Sequence, residues 1–221
     1  MQYCTSVSNV SGLKSCVNLR EVNLKYCLKI NDISDLAACK RMTVLNLHNC
    51  QSLSNITPIM NFSLLENLDV SECILLKNAQ EIGYCTRLKR LNMKGCKKLE
   101  TASFLKYCRN IEYLDLSQCL FKEIGFLEHL LELKELILAN CIEIQDFTSI
   151  QKCFLLNTLC LAKTSICDIS FLKSLSFLKS ISMVNCNDIE DFSVLKVCKK
   201  FRKCNLFKCY NVSSEIIEAL K

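Results

Sequence analysis

The chain has 221 residues, of which 50% are hydrophobic and 23% are charged, and its formal net charge is +6. This composition is typical of a folded globular domain and excludes an intrinsically disordered chain. No apolar run approaches the roughly 20 residues of a membrane-spanning helix, and the first residues lack the basic and apolar stretches of a signal peptide. Because the chain has four glycines and one proline, linkers have little room, and we expect one uninterrupted domain over residues 1–221.

Cysteine recurs along the chain with a period of 23 residues. From Cys4 to Cys119 the intervals alternate between 12 and 11 residues, with a single gap of 23. Two interleaved columns of cysteine therefore share one period. A fixed period of this length indicates a solenoid built from stacked repeats.

The repeated unit is Leu-x-x-Leu-x-Leu-x-x-Cys, with other apolar residues at some leucine positions. The nine units begin at Leu19, Met42, Leu65, Leu88, Ile111, Leu133, Leu156, Leu178 and Phe201. The alternating part of each unit has the period of a β-strand, with every second side chain turned inward. The remainder has apolar residues three apart, as in Ile30, Ile33, Leu36 and Cys39, and this spacing predicts short helical or 3-10 turns.

This pattern resembles the leucine-rich repeat family over nine full repeats. The resemblance implies an α/β solenoid, a curved arc with a parallel β-sheet on the concave side and short helical or 3-10 turns on the convex side. Two repeats have 22 residues, from Ile111 to Leu133 and from Leu156 to Leu178. Such short repeats are similar to those of internalins and of a protein-phosphatase regulator, whereas the cysteine-bearing repeats are similar to those of F-box adaptors.

The two ends of the chain differ from its middle. Counting back one period places Cys4 after a strand and Met1 at the last core position of that strand. The chain thus begins inside a repeat, and we expect an N-terminal truncation or a partner that covers this end. At the other end Ser213 or Ser214 precedes a short amphipathic segment, which predicts a helix. The expected domain comprises a partial repeat (1–18), nine repeats (19–212) and a helical cap (213–221).

A second column of residues confirms the register of the repeats. Short polar side chains dominate it, and they accept backbone N–H groups at the start of a helical turn. The column contains Asn9, Asp32, Asn55, Asn78, Thr101, Glu123, Asp146, Asp168, Asp191 and Ser214. We expect these side chains to cap the turns rather than to carry chemistry.

The 18 cysteines are expected to be buried free thiols. No Cys-x-x-Cys occurs and the two histidines are scattered, so no zinc-site spacing exists, and we expect neither metal nor cofactor. The convex column also accepts Phe62, Leu130 and Leu175, which indicates that cysteine acts there as a small hydrophobe. Only Cys160 and Cys167 are expected to face solvent. A dense set of free thiols indicates a reducing compartment, the cytoplasm or the nucleus.

The outward positions of the strands form two rows on the concave face. The middle row runs Asn23, Asn46, Asp69, Asn92, Asp115, Ile137, Cys160, Ser182 and Asn205, and the next row runs Lys25, His48, Ser71, Lys94, Ser117, Ala139, Ala162, Val184 and Phe207. From the sixth repeat the rows become apolar. This grouping predicts a partner-binding surface made of Ile137, Ala139, Cys160, Ala162, Val184 and Phe207. The alternatives are that a parallel sheet tolerates a few apolar residues or that a missing segment covers them.

Polar candidates and charge blocks accompany this surface. The polar candidates for partner binding are Lys25, Tyr26, His48, Arg90, Lys94 and Tyr113. The range from Arg87 to Arg109 contains eight basic residues and one acidic residue. The range from Glu112 to Asp146 contains eight acidic residues and two lysines. The C-terminal basic block, without an acid, consists of Lys196, Lys199, Lys200, Arg202, Lys203 and Lys208. Such blocks orient a partner, but the acidic block interrupts any continuous track for nucleic acid.

Catalytic motifs are missing from the sequence. It has no glycine-rich phosphate loop, no nucleophile elbow and no histidine–acid pair around an exposed nucleophile. We therefore predict a non-enzymatic protein–protein interaction module that binds a partner protein through its concave face, as a scaffold or subunit of an intracellular assembly. The alternatives are the substrate-recognition subunit of a ubiquitin ligase, which the resemblance to F-box adaptors implies, and the regulatory subunit of an enzyme such as a phosphatase.

Overall fold

The computed structural model describes residues 4–198 and 201–220. Within these residues the chain forms nine three-residue strands that pair in parallel and in chain order into one sheet. The strands are β1 (Glu21–Asn23), β2 (Val44–Asn46), β3 (Asn67–Asp69), β4 (Arg90–Asn92), β5 (Tyr113–Asp115), β6 (Glu135–Ile137), β7 (Thr158–Cys160), β8 (Ser180–Ser182) and β9 (Lys203–Asn205). The predicted parallel sheet is confirmed, with one strand in each of the nine units.

Each strand from β1 to β8 is followed by a turn and then by a 3-10 helix on the convex side, and one further 3-10 helix precedes β1. The 3-10 helices span Ser11–Leu13, Ser34–Leu36, Thr57–Asn61, Gln80–Tyr84, Ser103–Tyr107, Gly125–His129, Thr148–Lys152, Ser170–Ser174 and Ser193–Lys196. The predicted C-terminal helix is α1 (Ser214–Ala219), and the side chain of Ser213 accepts the N–H of Ile216 at its start. Of the two predicted caps, Ser213 is the one observed.

The core is a stack of equivalent side chains from successive repeats. The middle residue of each strand from β1 to β8 is buried, and the Cα register aligns them, as with Leu45, Leu68 and Leu91. Burying one such leucine contributes about 2 kcal/mol. Because each repeat packs only on its neighbours, the core runs the length of the solenoid.

The capping column forms as predicted at most of its positions. The side chain of Asp32 accepts the N–H of Ser34 at 2.8 Å, and Asn55 accepts that of Thr57 at 2.8 Å. Equivalent bonds form at Asn9, Asn78, Thr101, Asp146, Asp168 and Asp191. The prediction is wrong at Ser214, which lies inside α1 while Ser213 provides the cap.

The cysteines that follow the strands donate hydrogen bonds between repeats. Cys96 Sγ lies 3.2 Å from the Val70 carbonyl oxygen of the preceding repeat. The same bond is made by Cys50, Cys73, Cys119, Cys141, Cys186 and Cys209. Thr164, which replaces cysteine in this column, instead donates to Leu161 within its own repeat. These thiols therefore join the repeats as donors as well as filling the core.

The prediction that only Cys160 and Cys167 face solvent is partly wrong. Cys167 is exposed, but Cys160 is half-buried and Cys16 is exposed. Cys16 belongs to the convex column of the first described repeat, so a neighbouring repeat packs on it from one side only, whereas Cys39 has a repeat on both sides. Cys204, predicted to be core, is half-buried for the same reason at the other end of the sheet. The predicted placements of Met1, Lys199 and Lys200 lie outside the described residues.

Candidate functional site

The polar residues of the concave middle row hold the turn that follows each strand. Asn46 Oδ1 accepts the N–H of His48 at 2.9 Å, and Asn92 Oδ1 accepts that of Lys94 at 3.1 Å. The same bond is made by Asn23, Asp69, Asp115 and Asn205. Because a short amide or carboxylate can close such a turn, these side chains serve the fold as well as the surface.

Two of the carboxylates are fixed further by serine hydroxyls. Ser117 Oγ donates to Asp115 Oδ1 at 2.6 Å, and Ser71 Oγ donates to Asp69 in the same way. Ser71, Ser117 and Asp115 are also buried. The sequence predicted that all three lie on the outward rows of the concave face and are exposed. The prediction of exposure is wrong.

A polar chain links the predicted candidate His48 to an acid of the next repeat. His48 Nδ1 lies 2.7 Å from Ser71 Oγ, and the Ser71 hydroxyl in turn donates to Asp69. Since the serine proton is given to Asp69, the serine oxygen accepts from His48 N–H. This direction is opposite to the one that a histidine base and serine nucleophile require, so the arrangement orients His48 rather than activating Ser71.

Ring contacts order the other polar candidates. The guanidinium of Arg90 lies 4.2 Å from the ring centroid of Tyr113, and Lys25 Nζ lies 5.2 Å from that of Tyr26. The Tyr26 and His48 rings meet edge to face with centroids 4.9 Å apart. Arg90 and Tyr113 border a shallow depression of about 230 Å³ over β2–β5. The structure thus groups five of the six polar candidates into two clusters, with Lys94 outside them.

The apolar candidates lie together on the concave side of β6–β9. Ile137 on β6 is in register with Cys160 on β7, and both are half-buried. Ala139, Ala162 and Val184 in the next row are also half-buried. Phe207, after β9, has 64% of its surface exposed. We call these six residues the apolar concave patch.

The charge blocks are partly neutralised within the chain. Among the described residues, ion pairs join Lys89 to Glu66 at 3.0 Å, Lys134 to Glu112 at 2.7 Å and Lys196 to Glu215 at 2.8 Å. Such exposed pairs contribute little to stability. Glu215, which pairs with Lys196 of the C-terminal basic block, lies in α1 outside the run 196–208.

The buried thiols are poor nucleophiles and poor metal ligands. Burial raises the pKa of the Cys50, Cys85 and Cys141 thiols to about 12. All 18 cysteines lie within the described residues and are free thiols. Over residues 4–198 and 201–220, no group of three or more His, Cys, Asp or Glu side chains could hold a metal ion. In the same ranges, no helix has the length and apolarity to cross a membrane.

A left-handed backbone position follows every strand and was missed by the sequence interpretation. Positive φ angles occur at Tyr26, Asn49, Glu72, Gly95, Gln118, Asn140, Lys163, Asn185 and Lys208. The available signal was the recurrence of asparagine and glycine, the residues that favour this region. At Gly95, where φ is +71°, a Cβ atom would lie 2.6 Å from a carboxylate oxygen of Glu72, so a larger residue there would require the Glu72 side chain to move.

Solved structures share the fold of this chain. An internalin of Listeria monocytogenes is 24% identical and covers 96% of this chain with a TM-score of 0.74, over 68% of its own length. An internalin C2 of the same organism is 22% identical over 91% of this chain and 81% of its own, with a TM-score of 0.74. The functional domain of InlJ, described as including a cysteine ladder, is 14% identical over 95% of this chain and 50% of its own, with a TM-score of 0.65.

Sequence comparisons add no closer relative. No protein-family model matches the chain, and no curated protein matches it significantly. The structural likeness, at these identities, establishes the leucine-rich repeat fold that the sequence predicted.

Proposed function

We propose that this leucine-rich repeat protein is a non-enzymatic module that binds a partner protein through its concave face, as a scaffold or subunit of an intracellular assembly. The observation that carries the proposal is the apolar concave patch. Its six side chains are grouped over four adjacent strands. None of them accepts the backbone hydrogen bond by which polar residues of the middle row hold the turn after a strand. Grouped apolar side chains on an accessible sheet are typical of the centre of a protein–protein interface.

The polar clusters of the concave face would orient the partner. Arg90 stacked on Tyr113 offers hydrogen-bond donors and positive charge on β4 and β5, beside the patch, and Lys94 follows β4. Lys25, Tyr26 and His48 offer further polar groups after β1 and β2, towards the other end of the same face. Charged groups at the rim of an interface mainly set association rate and orientation. The free thiols support a reducing compartment, the cytoplasm or the nucleus.

A ubiquitin-ligase substrate receptor and a regulatory subunit of an enzyme such as a phosphatase remain the alternative assignments. Both would also use the concave face. The identity of the captured partner separates them: a ligase substrate would be ubiquitylated in a manner that depends on this chain, and a regulated enzyme would change its activity on binding.

The test is affinity capture with three forms of the chain. Wild type should retain a partner that the Ile137→Asp, Phe207→Asp double variant loses. Ile142→Asp is the matched control, because Ile142 is 53% exposed on the edge where the strands end, outside the patch. Circular dichroism shows whether each variant is folded. A folded double variant that retains every partner would contradict the proposal.

A further inference from the structure

Each strand from β1 to β8 bonds to the next strand through equivalent backbone groups. Three of these groups lie at the ends of the strand: the carbonyl oxygen of the residue before it and two N–H groups after it. On β2 they are the Thr43 oxygen and the N–H groups of Leu47 and Asn49, with donor–acceptor distances of 2.7–3.0 Å to the repeat of β3. These bonds attach one repeat to the next along the whole sheet.

The equivalent groups of β9, the last strand of the sheet, are not used by the fold. They are the Arg202 carbonyl oxygen and the N–H groups of Leu206 and Lys208, and within residues 4–198 and 201–220 no backbone group bonds to them. Helix α1 packs on the 3-10 helix Ser193–Lys196 and on no strand, so it does not cover this edge. An open strand edge with unpaired donors and acceptors is a template for one further strand.

Apolar side chains at the same edge are incompletely covered. Cys204 in β9 and Leu206 just after it are half-buried, whereas their equivalents on β8, Ile181 and Met183, have at most 1% of their surface exposed. The difference arises because a further repeat packs on the outer side of β8, and none of the described residues forms one beyond β9. An added strand with apolar residues opposite Cys204 and Leu206 would therefore bury apolar surface as well as pair backbone groups.

The edge of β9 is also basic. Arg202, Lys203 and Lys208 are exposed, and within the described residues none of them forms an ion pair. Neither Asp nor Glu occurs over residues 169–187, which contain β8, or over residues 192–214, which contain β9. Three acids lie between these ranges, in the loop that leads to the last 3-10 helix: Asp188, Glu190 and Asp191. The basic edge opposes pairing with a second β9 and complements an acidic strand.

We propose that β9 accepts an extended acidic segment of a partner protein as a tenth, parallel strand. The backbone of this segment pairs with the Arg202 oxygen and with the N–H groups of Leu206 and Lys208. Its alternate apolar side chains cover Cys204 and Leu206, and its acids face Lys203 and Lys208. In such strand addition the main chain supplies affinity and the alternate side chains supply specificity. The site uses the edge of β9 rather than the concave positions of β6–β8, so it is tested separately from the function proposed above.

The first test uses an acidic peptide of defined sequence as the probe. The peptide is Glu-Glu-Leu-Asp-Leu-Ser-Glu with blocked ends and a fluorescein label, and its fluorescence anisotropy reports binding to the full chain. In the proposed register its second residue lies opposite Lys203 and its last residue opposite Lys208. Wild type should bind the peptide more weakly as salt is raised, and the Lys203→Glu, Lys208→Glu variant should bind it at least about tenfold more weakly than wild type.

Matched controls separate the edge from net charge and from the concave face. The Lys29→Glu, Lys77→Glu variant reverses two exposed lysines in the loops after β1 and β3, and it should change the affinity by less than about threefold. Ile137→Asp, in the apolar concave patch, should bind the peptide as wild type does. The charge-swapped peptide Lys-Lys-Leu-Asn-Leu-Ser-Lys should prefer the Lys203→Glu, Lys208→Glu variant to wild type. Circular dichroism excludes variants that fail to fold.

The second test uses N-methylation of the peptide to separate strand pairing from charge attraction. On β2 the Val44 N–H donates to the preceding repeat, whereas the Leu47 N–H donates to the following repeat. The second Glu and the second Leu of the peptide hold these two positions. Methylation of the Glu nitrogen should weaken binding at least about tenfold, and methylation of the Leu nitrogen less than about threefold. Binding of the unmodified peptide should slow amide exchange at Leu206 and Lys208, as measured by NMR.

Four results would overturn the proposal. The first is a wild-type chain that does not bind the peptide. The second is binding that Ile137→Asp abolishes, or that the two lysine variants weaken equally, since the concave face or net charge would then hold the peptide. The third is an equal loss for the two methylated peptides. The fourth is self-association of the chain that the Lys203→Glu, Lys208→Glu variant loses, because a second copy would then occupy the edge.

Discussion

The two halves of the concave face use the same strand positions for different purposes. On β1–β5 the middle row consists of amides and carboxylates, and each of them closes the turn after its strand. On β6 and β7 the same row holds Ile137 and Cys160, which cannot make that bond. The middle-row residues of β1–β5 are thus partly used by the fold, whereas Ile137 and Cys160 have no comparable structural task. Side chains without such a task are the better candidates for partner binding.

The largest difference between regions should appear in thiol reactivity. Burial raises the pKa of Cys141 to about 12, so at pH 8 only about one molecule in ten thousand carries the thiolate, against about a quarter for a thiol of ordinary pKa. Exposed Cys16 and Cys167 should react fastest with a thiol reagent, half-buried Cys160 more slowly, and the buried columns about a thousandfold more slowly still.

Ellman titration in native buffer and in denaturant measures this difference. All 18 thiols should react after unfolding, and the Cys16→Ser, Cys167→Ser variant should lose the fast phase. A fast native phase that involves most of the cysteines would contradict the buried columns.

The next effect concerns the stability of the two halves. Asp115→Ala on β5 removes the acceptor of two hydrogen bonds and leaves the buried Ser117 unsatisfied, which should lower the free energy of unfolding by about 2 kcal/mol. Ser182→Ala changes the same row on β8, where no comparable bond forms among the described residues, and should cost less than about 0.5 kcal/mol. Urea denaturation measures both, and equal losses would remove the distinction between the halves.

The smallest effect is acid sensitivity of the capping column, which runs along both halves. Hydrogen bonds from Ser34 and Thr148 lower the pKa values of Asp32 and Asp146. A carboxyl whose pKa is lowered by folding stabilises the fold above its unfolded pKa of about 4, and this contribution is lost as pH falls through the lower folded value.

The Asp32→Asn, Asp146→Asn variant keeps the acceptor oxygen but cannot be protonated. Its melting temperature should therefore fall less than that of wild type between neutral pH and about pH 3. Asp188→Asn, outside the column, serves as the control and should follow wild type. If the column variant and the control behave alike, the caps do not contribute to acid sensitivity.

Much of the fold could be predicted from the sequence because every repeat restates the same pattern. The inward leucines fix the strand register, and the short polar residues fix the turns, as Asp32 and Asn55 illustrate. The bonds of the post-strand thiols could not be predicted, since their acceptors are backbone carbonyls of another repeat. The burial of Cys16 was overestimated because the repeat pattern predicts the same burial for every member of a column, whereas Cys16 has a neighbouring repeat on one side only.

The candidate site was predicted as a list of positions, and its internal contacts were not. Ring geometry at Arg90 and Tyr113 and the link from His48 through Ser71 depend on side-chain rotamers that a repeat pattern does not specify.

The central claim is that the apolar half of the concave face binds the partner. Its most direct test is to measure how substitutions in each half change the affinity for a purified partner. Isothermal titration calorimetry should show that Val184→Asp, in the apolar concave patch, weakens binding at least about tenfold. Asn67→Asp, on the polar half at β3, should change the affinity by less than about threefold, as expected for a rim position. Equal affinities of wild type and Val184→Asp, or a larger loss at Asn67, would contradict the account.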